Sequence, residues 1–170
     1  MSRTWRLRVW TRFLCDPQTV WRYKTDPQTL AREFKPYVSM TMSDVDQDAV
    51  VRALEGRAGP ARVRARLSPP GIQWPMEVVL VEPGEAYRDT SSNALFKSWI
   101  HDHRILSASD GCLYVDEIVF VPALPYCKAT ALTMERLTKH RHRVAAQHLP
   151  AEVGGVGVSA LRLDCPSDAG

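Results

Sequence analysis

Two histidines and an aspartate lie on neighbouring segments at a spacing that would bring their side chains together. His101 and His103 are two residues apart, so in a strand both side chains point to the same face. Residues 108–111, Ala-Ser-Asp-Gly, have hairpin-turn composition, and pairing across this four-residue loop sets His103 opposite Asp116. Opposed side chains lie about 5 Å apart at Cβ, close enough for a carboxylate to orient an imidazole. The sequence therefore predicts a histidine–carboxylate pair on one face of a hairpin.

Three kinds of site are compatible with this group. His101, His103 and Asp116 are candidate catalytic residues, with the carboxylate-oriented imidazole as a general base. They also suit a satisfied polar network that supports or orients a ligand. A metal site is the third option, but only three candidate ligands are visible. Because the chain shows no recognisable nucleophile or cofactor motif, we favour the structural or ligand-orienting role and predict neither a metal nor a cofactor.

The same pairing predicts an aromatic face around the histidines. The other face of the hairpin carries Asp102, Arg104 and Glu117, which is typical of a solvent side. We expect Arg141, on a C-terminal helix, to extend to the surface; contact with a ligand carboxylate or with Asp116 is the alternative. The full set of predicted ligand-binding residues is Trp74, Met76, Trp99, His101, His103, Tyr114, Asp116, Ile118, Phe120, Leu137 and Arg141.

Alternating apolar and polar residues predict the strands that would position this face. They cover residues 4–15, 37–42, 62–67, 72–82, 86–90, 96–107 and 112–121. Two Asp-Pro-Gln-Thr runs, at Asp16 and Asp26, predict the starts of two short helices, because each pairs a capping carboxylate with proline at the first helical position. Helical spacing predicts an inserted helix within residues 44–59 and a long amphipathic helix over residues 133–148. The glycine-rich residues 151–170 are expected to form a flexible tail.

The composition is that of one globular domain, predicted here over residues 1–150. The chain has 170 residues, 45% of them hydrophobic, and a formal net charge of +3. With no signal-peptide pattern and no apolar run near the ~20 residues that span a bilayer, we expect a cytoplasmic protein that does not bind nucleic acid. The scattered cysteines, Cys15, Cys112, Cys127 and Cys165, are interpreted as thiols. The oligomeric state is left open.

Motifs along the chain resemble the ligand-binding branch of the START/SRPBCC superfamily over about residues 4–148. They comprise Gly71-Ile72-Gln73-Trp74, Tyr87-Arg88-Asp89, Phe96-x-x-Trp99-x-His101-x-His103, Gly111-Cys112, Asp116-Glu117-x-x-Phe120-x-Pro122 and Arg141-His142. This resemblance implies an α+β helix-grip fold. In that fold, a curved seven-stranded antiparallel sheet wraps around a long C-terminal helix over a hydrophobic cavity, with two short helices after the first strand.

The function expected from this resemblance is binding or carriage of a hydrophobic small molecule, such as a lipid, a quinone or an aromatic polyketide. The same fold also supports polyketide cyclase or dehydratase chemistry, for which the pocket histidines and Asp116 are the candidates. A third alternative is an interaction module. It would use two arginine stripes on strands that meet where the barrel closes, namely Arg6, Arg8 and Arg12 with Arg62, Arg64 and Arg66.

Overall fold

One antiparallel sheet of eight strands forms the frame of the protein. The computed structural model describes residues 4–69, 71–123 and 127–163. The strands are β1 Thr4–Phe13, β2 Ser39–Thr41, β3 Ala61–Ser68, β4 Ile72–Glu82, β5 Ala86–Ser91, β6 Phe96–Ala108, β7 Gly111–Pro122 and β8 Ala151–Leu163. Their order across the sheet is β2-β3-β4-β5-β6-β7-β1-β8. Chain neighbours therefore pair from β2 to β7, and β1 returns to pair with β7.

Four helices accompany this sheet. They are α1 Pro17–Thr25, α2 Pro27–Glu33, α3 Asp44–Leu54 and α4 Cys127–His148. The predicted caps are confirmed: the Asp16 carboxylate accepts a hydrogen bond from the Thr19 backbone N–H at 2.9 Å, and Asp26 accepts one from Gln28 at 2.9 Å. The helix predicted within residues 44–59 is present as α3. The long helix α4 contacts β1 and β8 and completes the α+β helix-grip fold.

The β6–β7 hairpin has the predicted register. Ser107 pairs with Cys112, His103 with Asp116, His101 with Ile118 and Trp99 with Phe120. The last pair, Ala108 with Gly111, leaves a two-residue connection. The aromatic and histidine face of the hairpin is thereby turned toward the interior, where all of its members are buried.

The prediction of a flexible tail over residues 151–170 is wrong for residues 151–163, which form β8 and give the sheet eight strands instead of seven. Its backbone pairs with β1 from Ala151 to Leu163, with an irregularity between Thr11 and Phe13. One of the glycines that suggested a loop, Gly157, has a packing reason. A Cβ at Gly157 would lie 2.0 Å from the indole of Trp10, so only glycine lets the ring cross the strand there. Residues 164–170 lie outside the described residues.

Two further predictions are corrected. Helix α4 begins at Cys127, not near residue 133. The sequence pattern missed this start because the first turns are exposed, Leu132 included, and show no apolar stripe. The two arginine stripes do not meet either, since β1 and β3 are separated by four strands in the sheet. Arg6 instead lies 3.4 Å from Glu117, and Arg62 lies 3.1 Å from Glu77.

The buried apolar side chains form two clusters. One is centred on Phe13, Tyr114 and Ile105 beneath α1 and α3. The other contains Phe96, Trp99, Phe120 and Met134. Residues from both clusters line a common cavity between the sheet and the helices. No helix in the described part of the chain is long and apolar enough to cross a membrane.

Candidate functional site

The cavity between the sheet and the helices has a volume of about 210 Å³. Most of its wall is aliphatic or aromatic. Of the predicted ligand-binding residues, those that line it are Trp74, Met76, Trp99, His101, His103, Ile118, Leu137 and Arg141. Tyr114, Asp116 and Phe120 lie behind this wall, where their exposed fractions are 1%, 0% and 1%. These three residues support the lining residues in front of them and do not themselves line the cavity.

An aromatic group forms one end of the cavity. The Trp74 ring meets the Trp99 ring edge to face at a centroid distance of 5.2 Å and the Phe96 ring at 5.5 Å. Trp74 and Trp99 are on β4 and β6, where alternation sends every second side chain inward. Edge-to-face contact is a preferred geometry of aromatic pairs and contributes about 0.5–1.5 kcal/mol beyond area burial, so these rings hold one another in place.

A polar wall interrupts the apolar lining at His101 and His103. The two imidazoles lie with their centroids 3.7 Å apart, and Tyr87 stacks on His103 at 4.0 Å with an interplanar angle of 12°. Behind them, Asp116 Oδ1 lies 2.8 Å from His103 Nδ1 and 3.2 Å from His101 Nε2. The carboxylate predicted to orient one imidazole therefore touches both.

A second carboxylate, Asp89 on β5, faces the same imidazoles from the cavity side. Its Oδ2 lies 3.0 Å from His103 Nε2 and 3.4 Å from His101 Nδ1. Its other oxygen accepts a hydrogen bond from the indole N–H of Trp99 at 3.0 Å. Each histidine thus has one ring nitrogen near Asp116 and the other near Asp89, so the imidazoles lie between two carboxylates.

Burial and charge act in opposite directions on the pKa values of this group. Burial raises the pKa of both carboxyl groups, but the adjacent imidazoles outweigh it, so the pKa of Asp116 lies well below its usual value and that of Asp89 is also lowered. For His103, desolvation lowers the pKa, yet the charges and hydrogen bonds of Asp116 and Asp89 raise it overall. For His101, desolvation and the neighbouring His103 charge lower the pKa. The two carboxylates therefore favour the charged form of His103 more than that of His101.

A third imidazole supports the network from helix α4. His142, with an exposed fraction of 0%, lies with Nε2 3.1 Å from Asp116 Oδ2 and with Nδ1 2.8 Å from the Thr11 hydroxyl. An ionised carboxylate only accepts hydrogen bonds, so Nε2 carries the proton and Nδ1 accepts from Thr11. The neutral imidazole is fully satisfied, and desolvation accordingly lowers the pKa of His142.

A buried ion-pair group closes the helical side of the cavity. Glu33 on α2 lies 2.7 Å from Lys24 Nζ on α1 and 3.2 Å from Arg141 Nε on α4. Arg141 is only 7% exposed, so the expectation that it extends to the surface is wrong. The alternative partners named from the sequence were a ligand carboxylate and Asp116, and the carboxylate observed beside the guanidinium is instead that of Glu33. The guanidinium also lies over the ring of Phe34, 5.1 Å from its centroid.

The sequence prediction missed the residues that complete both polar groups. Asp89 and Tyr87 alternate on β5, and the signals for them were this same-face spacing and their place in the Tyr87-Arg88-Asp89 motif. Lys24 and Glu33 gave none, since charged residues in short helices are usually exposed. His142 lies one residue after Arg141, on an otherwise polar stretch of α4. Spatial proximity across four elements, not local spacing, assembles these groups.

The fold and the site together define a class: α+β helix-grip proteins with a mainly apolar internal cavity and one polar wall. Solved structures agree with the fold. The protein XoxI of Bacillus cereus matches with a TM-score of 0.59 at 11% identity, covering 85% of this chain and 94% of that one. A protein of Chromobacterium violaceum matches with a TM-score of 0.57 at 16% identity, over 82% and 95% of the two chains. For Ara h 8.0201 the TM-score is 0.54 at 11% identity, over 85% and 99%.

Within this class, the chain belongs to the family described as "Domain of unknown function (DUF8410)", whose model matches residues 11–149. The matched region runs from Thr11, near the end of β1, through the end of α4 and contains every cavity-lining residue discussed above. No curated protein matches the chain in sequence.

Proposed function

We propose that this protein binds a hydrophobic small molecule in the cavity between its sheet and helices. The observation that carries the proposal is the division of the cavity wall. Trp74, Trp99 and Leu137 are among its many apolar lining residues. Asp89 and the two histidines form a polar patch on the sheet side, and Lys24 and Arg141 line the helical side. Ligand sites are typically mostly apolar, with a few placed polar groups that fix orientation.

The cavity suits a ligand with a flat ring system. Its volume of about 210 Å³ exceeds the ~150 Å³ of an engineered apolar cavity that binds benzene. The edge-to-face rings of Trp74 and Trp99 offer an aromatic surface at one end, and the polar patch suits an oxygen-bearing end. An aromatic polyketide or a quinone headgroup fits a cavity with an aromatic end and a polar patch, in keeping with the START/SRPBCC resemblance of the sequence. The proposal also includes a lipid as the hydrophobic ligand.

The catalytic alternative has less support from the geometry. Both ring nitrogens of His103 lie within 3.0 Å of a carboxylate oxygen, so neither is free to accept a proton from a cavity ligand. The interaction-module alternative loses its basis with the separation of the arginine stripes, since β1 and β3 are not neighbours. We therefore propose binding or carriage rather than turnover, within the cytoplasm.

Binding of N-phenyl-1-naphthylamine, an uncharged fluorescent dye excited directly, tests the proposal. We expect saturation at one site per chain. Leu137→Trp places a larger ring inside the cavity from α4 and should weaken binding at least tenfold. Leu132→Trp is the matched control, because Leu132 is on the same helix but 45% exposed, and should bind as the parent does.

Two results would contradict the proposal. One is a folded parent protein that binds no dye. The other is an equal loss of binding in both tryptophan variants, which would place the dye on the surface. Native mass spectrometry of the freshly purified protein then identifies any molecule that is retained and gives its chemical class.

A further inference from the structure

We propose that Asp89, His101 and His103 form a binding site for one divalent first-row transition-metal ion in the wall of the cavity. The three residues are buried, and one ligand atom from each lies within 4.8 Å of the others. They come from adjacent strands, β5 and β6, which pair Asp89 directly with His101. The sequence prediction of no metal counted Asp116 as the only carboxylate, and Asp89 changes that donor set.

The distances within the group match those of metal ligands. Asp89 Oδ2 lies 3.0 Å from His103 Nε2 and 3.4 Å from His101 Nδ1. Two ligands about 2.1 Å from one ion are separated by roughly 3.0–3.4 Å at octahedral or tetrahedral angles. Both distances fall in that interval. The third pair, His101 Nδ1 and His103 Nε2, lies within 4.8 Å, and because the two ring centroids are only 3.7 Å apart, the rings must turn toward a common point to bind one ion.

The surrounding residues form the outer layer that metal-binding histidines normally have. On the nitrogens that would not bind the ion, Asp116 lies 2.8 Å from His103 Nδ1, which the Tyr114 hydroxyl also meets at 2.8 Å. The 3.2 Å contact of Asp116 with His101 Nε2 is not a hydrogen bond. Carboxylates at this place fix the ring orientation and the tautomer of ligating histidines. The Trp99 indole N–H holds the second oxygen of Asp89 at 3.0 Å, which directs Oδ2 toward the histidines.

The charges around the site also favour a cation. In the part of the chain that the structure describes, the buried carboxylates are Glu33, Asp89 and Asp116, and the buried permanent cations are Lys24 and Arg141. This leaves a net charge of −1, so the site can take a cation in place of a histidine proton; a divalent ion would bring the buried total to +1. Two imidazoles with one carboxylate suit zinc, iron, cobalt or nickel rather than magnesium or calcium. All three ligands line the cavity, so the ion's remaining positions face the space that a small-molecule ligand would occupy.

Titration of the chelator-treated full-length protein with Zn²⁺, followed by calorimetry and by histidine-ring NMR, tests this proposal separately from dye binding. We expect one Zn²⁺ per chain, with the largest changes at Nδ1 of His101 and Nε2 of His103. The rings of His140 and His148, on the exposed part of α4, should not change. Bound Co²⁺ should give visible d–d absorption from the same site.

Matched variants decide whether these residues hold the ion. Asp89→Asn keeps the shape of the side chain but removes its charge, and should weaken Zn²⁺ binding at least a hundredfold. Asp116→Asn should weaken it about 10- to 100-fold, as loss of an outer carboxylate typically does. His140→Ala and His148→Ala should bind as the parent does. If Asp89→Asn fails to fold, the ring-nitrogen shifts of the parent protein decide the question.

The proposal is wrong if the parent binds no Zn²⁺, if the ring shifts occur at His140 or His148, or if Asp89→Asn binds as tightly as the parent. Dye binding that persists without Zn²⁺ would leave the proposed function intact while the metal site fails. Conversely, Zn²⁺ binding at these nitrogens without any dye binding would establish the metal site and remove the cavity function.

Discussion

His142 is a buried imidazole held in its neutral form, and that state has a consequence for stability. Asp116 accepts from Nε2 and Thr11 donates to Nδ1, so the folded protein already satisfies the uncharged ring. Desolvation lowers the pKa of His142 against the opposing effect of Asp116. Because the unfolded chain then binds a proton at higher pH than the folded one, this group costs stability as the pH falls below its unfolded pKa of about 6.5.

We predict that His142→Gln reduces the acid sensitivity of the protein. The charged groups around the ring, Asp116, Lys24 and Glu33, stay the same in the variant, so the difference between the two proteins isolates the imidazole. Urea unfolding at pH 7.5 and pH 5.5 should show a smaller loss of unfolding free energy in the variant. The difference is at most about 1.4 kcal/mol for each pH unit. Equal losses in both proteins would show that His142 titrates alike in the folded and unfolded states.

At the scale of elements, the Glu33 carboxylate joins three helices. Lys24 on α1, Glu33 on α2 and Arg141 on α4 form one buried group in which a single anion faces two cations. Burial of a charge is tolerated only when partners replace its water, and removing the shared partner leaves both cations uncompensated. The position of α4 over the cavity therefore depends on a residue of α2.

We predict that Glu33→Gln destabilises the protein by about 3–5 kcal/mol, as breaking a buried pair from one side does. Lys24→Met should cost clearly less, since Glu33 keeps its 3.2 Å contact with Arg141 and the methionine fills a similar volume. Urea unfolding at pH 7 measures both. Equal losses would show that the two cations are not balanced by the same carboxylate.

The alternation of apolar and polar residues predicted most strands, because one face of the sheet is buried and the other is exposed to solvent. Alternation identified the strands and, with the turn at residues 108–111, fixed the pairing of His103 with Asp116. Strand β8 was missed because its glycines resemble those of a loop, and the close approach of the Trp10 ring to Gly157 is a contact that no property of residues 151–163 indicates. The start of α4 was missed because an exposed turn needs no apolar stripe.

The candidate site was predicted only in part, for a related reason. His101, His103 and Asp116 belong to one hairpin, so spacing alone could bring them together. Asp89 lies beside them because β5 pairs with β6 in a register that sets Asp89 opposite His101. The pairing of β4 with β5 is irregular, so a sequence pattern does not show which β5 side chains share the face of the histidines. Glu33 and His142 contact their partners only when the helices are packed against one another and against the sheet, which no local pattern shows.

At the scale of the whole molecule, β8 covers what would otherwise be a free edge of β1. Its backbone pairs along nearly all of β1, and Val156 and Val158 pack against the apolar cluster of Leu7 and Val9. A long unpaired edge strand readily pairs with another molecule. Strand β8 is itself the end strand of the sheet order, so its effect at this edge is to cover the apolar cluster of Leu7 and Val9, which truncation would expose.

We predict that a chain ending at Pro150 is less stable than the full chain and self-associates. Light scattering coupled to size-exclusion chromatography should show larger species, and urea unfolding should begin at lower concentration. Full-length Val153→Asp is the control, because Val153 is a fully exposed β8 side chain, and it should match the parent. A monomeric truncated chain of unchanged stability would mean that β8 contributes nothing to the edge.

The hydrogen bond between the Trp99 indole and Asp89 makes the cavity observable from a single side chain. The indole N–H lies 3.0 Å from the carboxylate of the polar wall, while the ring forms part of the aromatic end. Its proton resonance is one of five indole signals in the chain and is assigned by Trp99→Phe. An ion at Asp89 would move that resonance through the hydrogen bond, and an apolar guest would move it through ring currents. The Trp99 indole proton is therefore an intrinsic NMR reporter that distinguishes a bound ion from a bound apolar molecule before either has been identified.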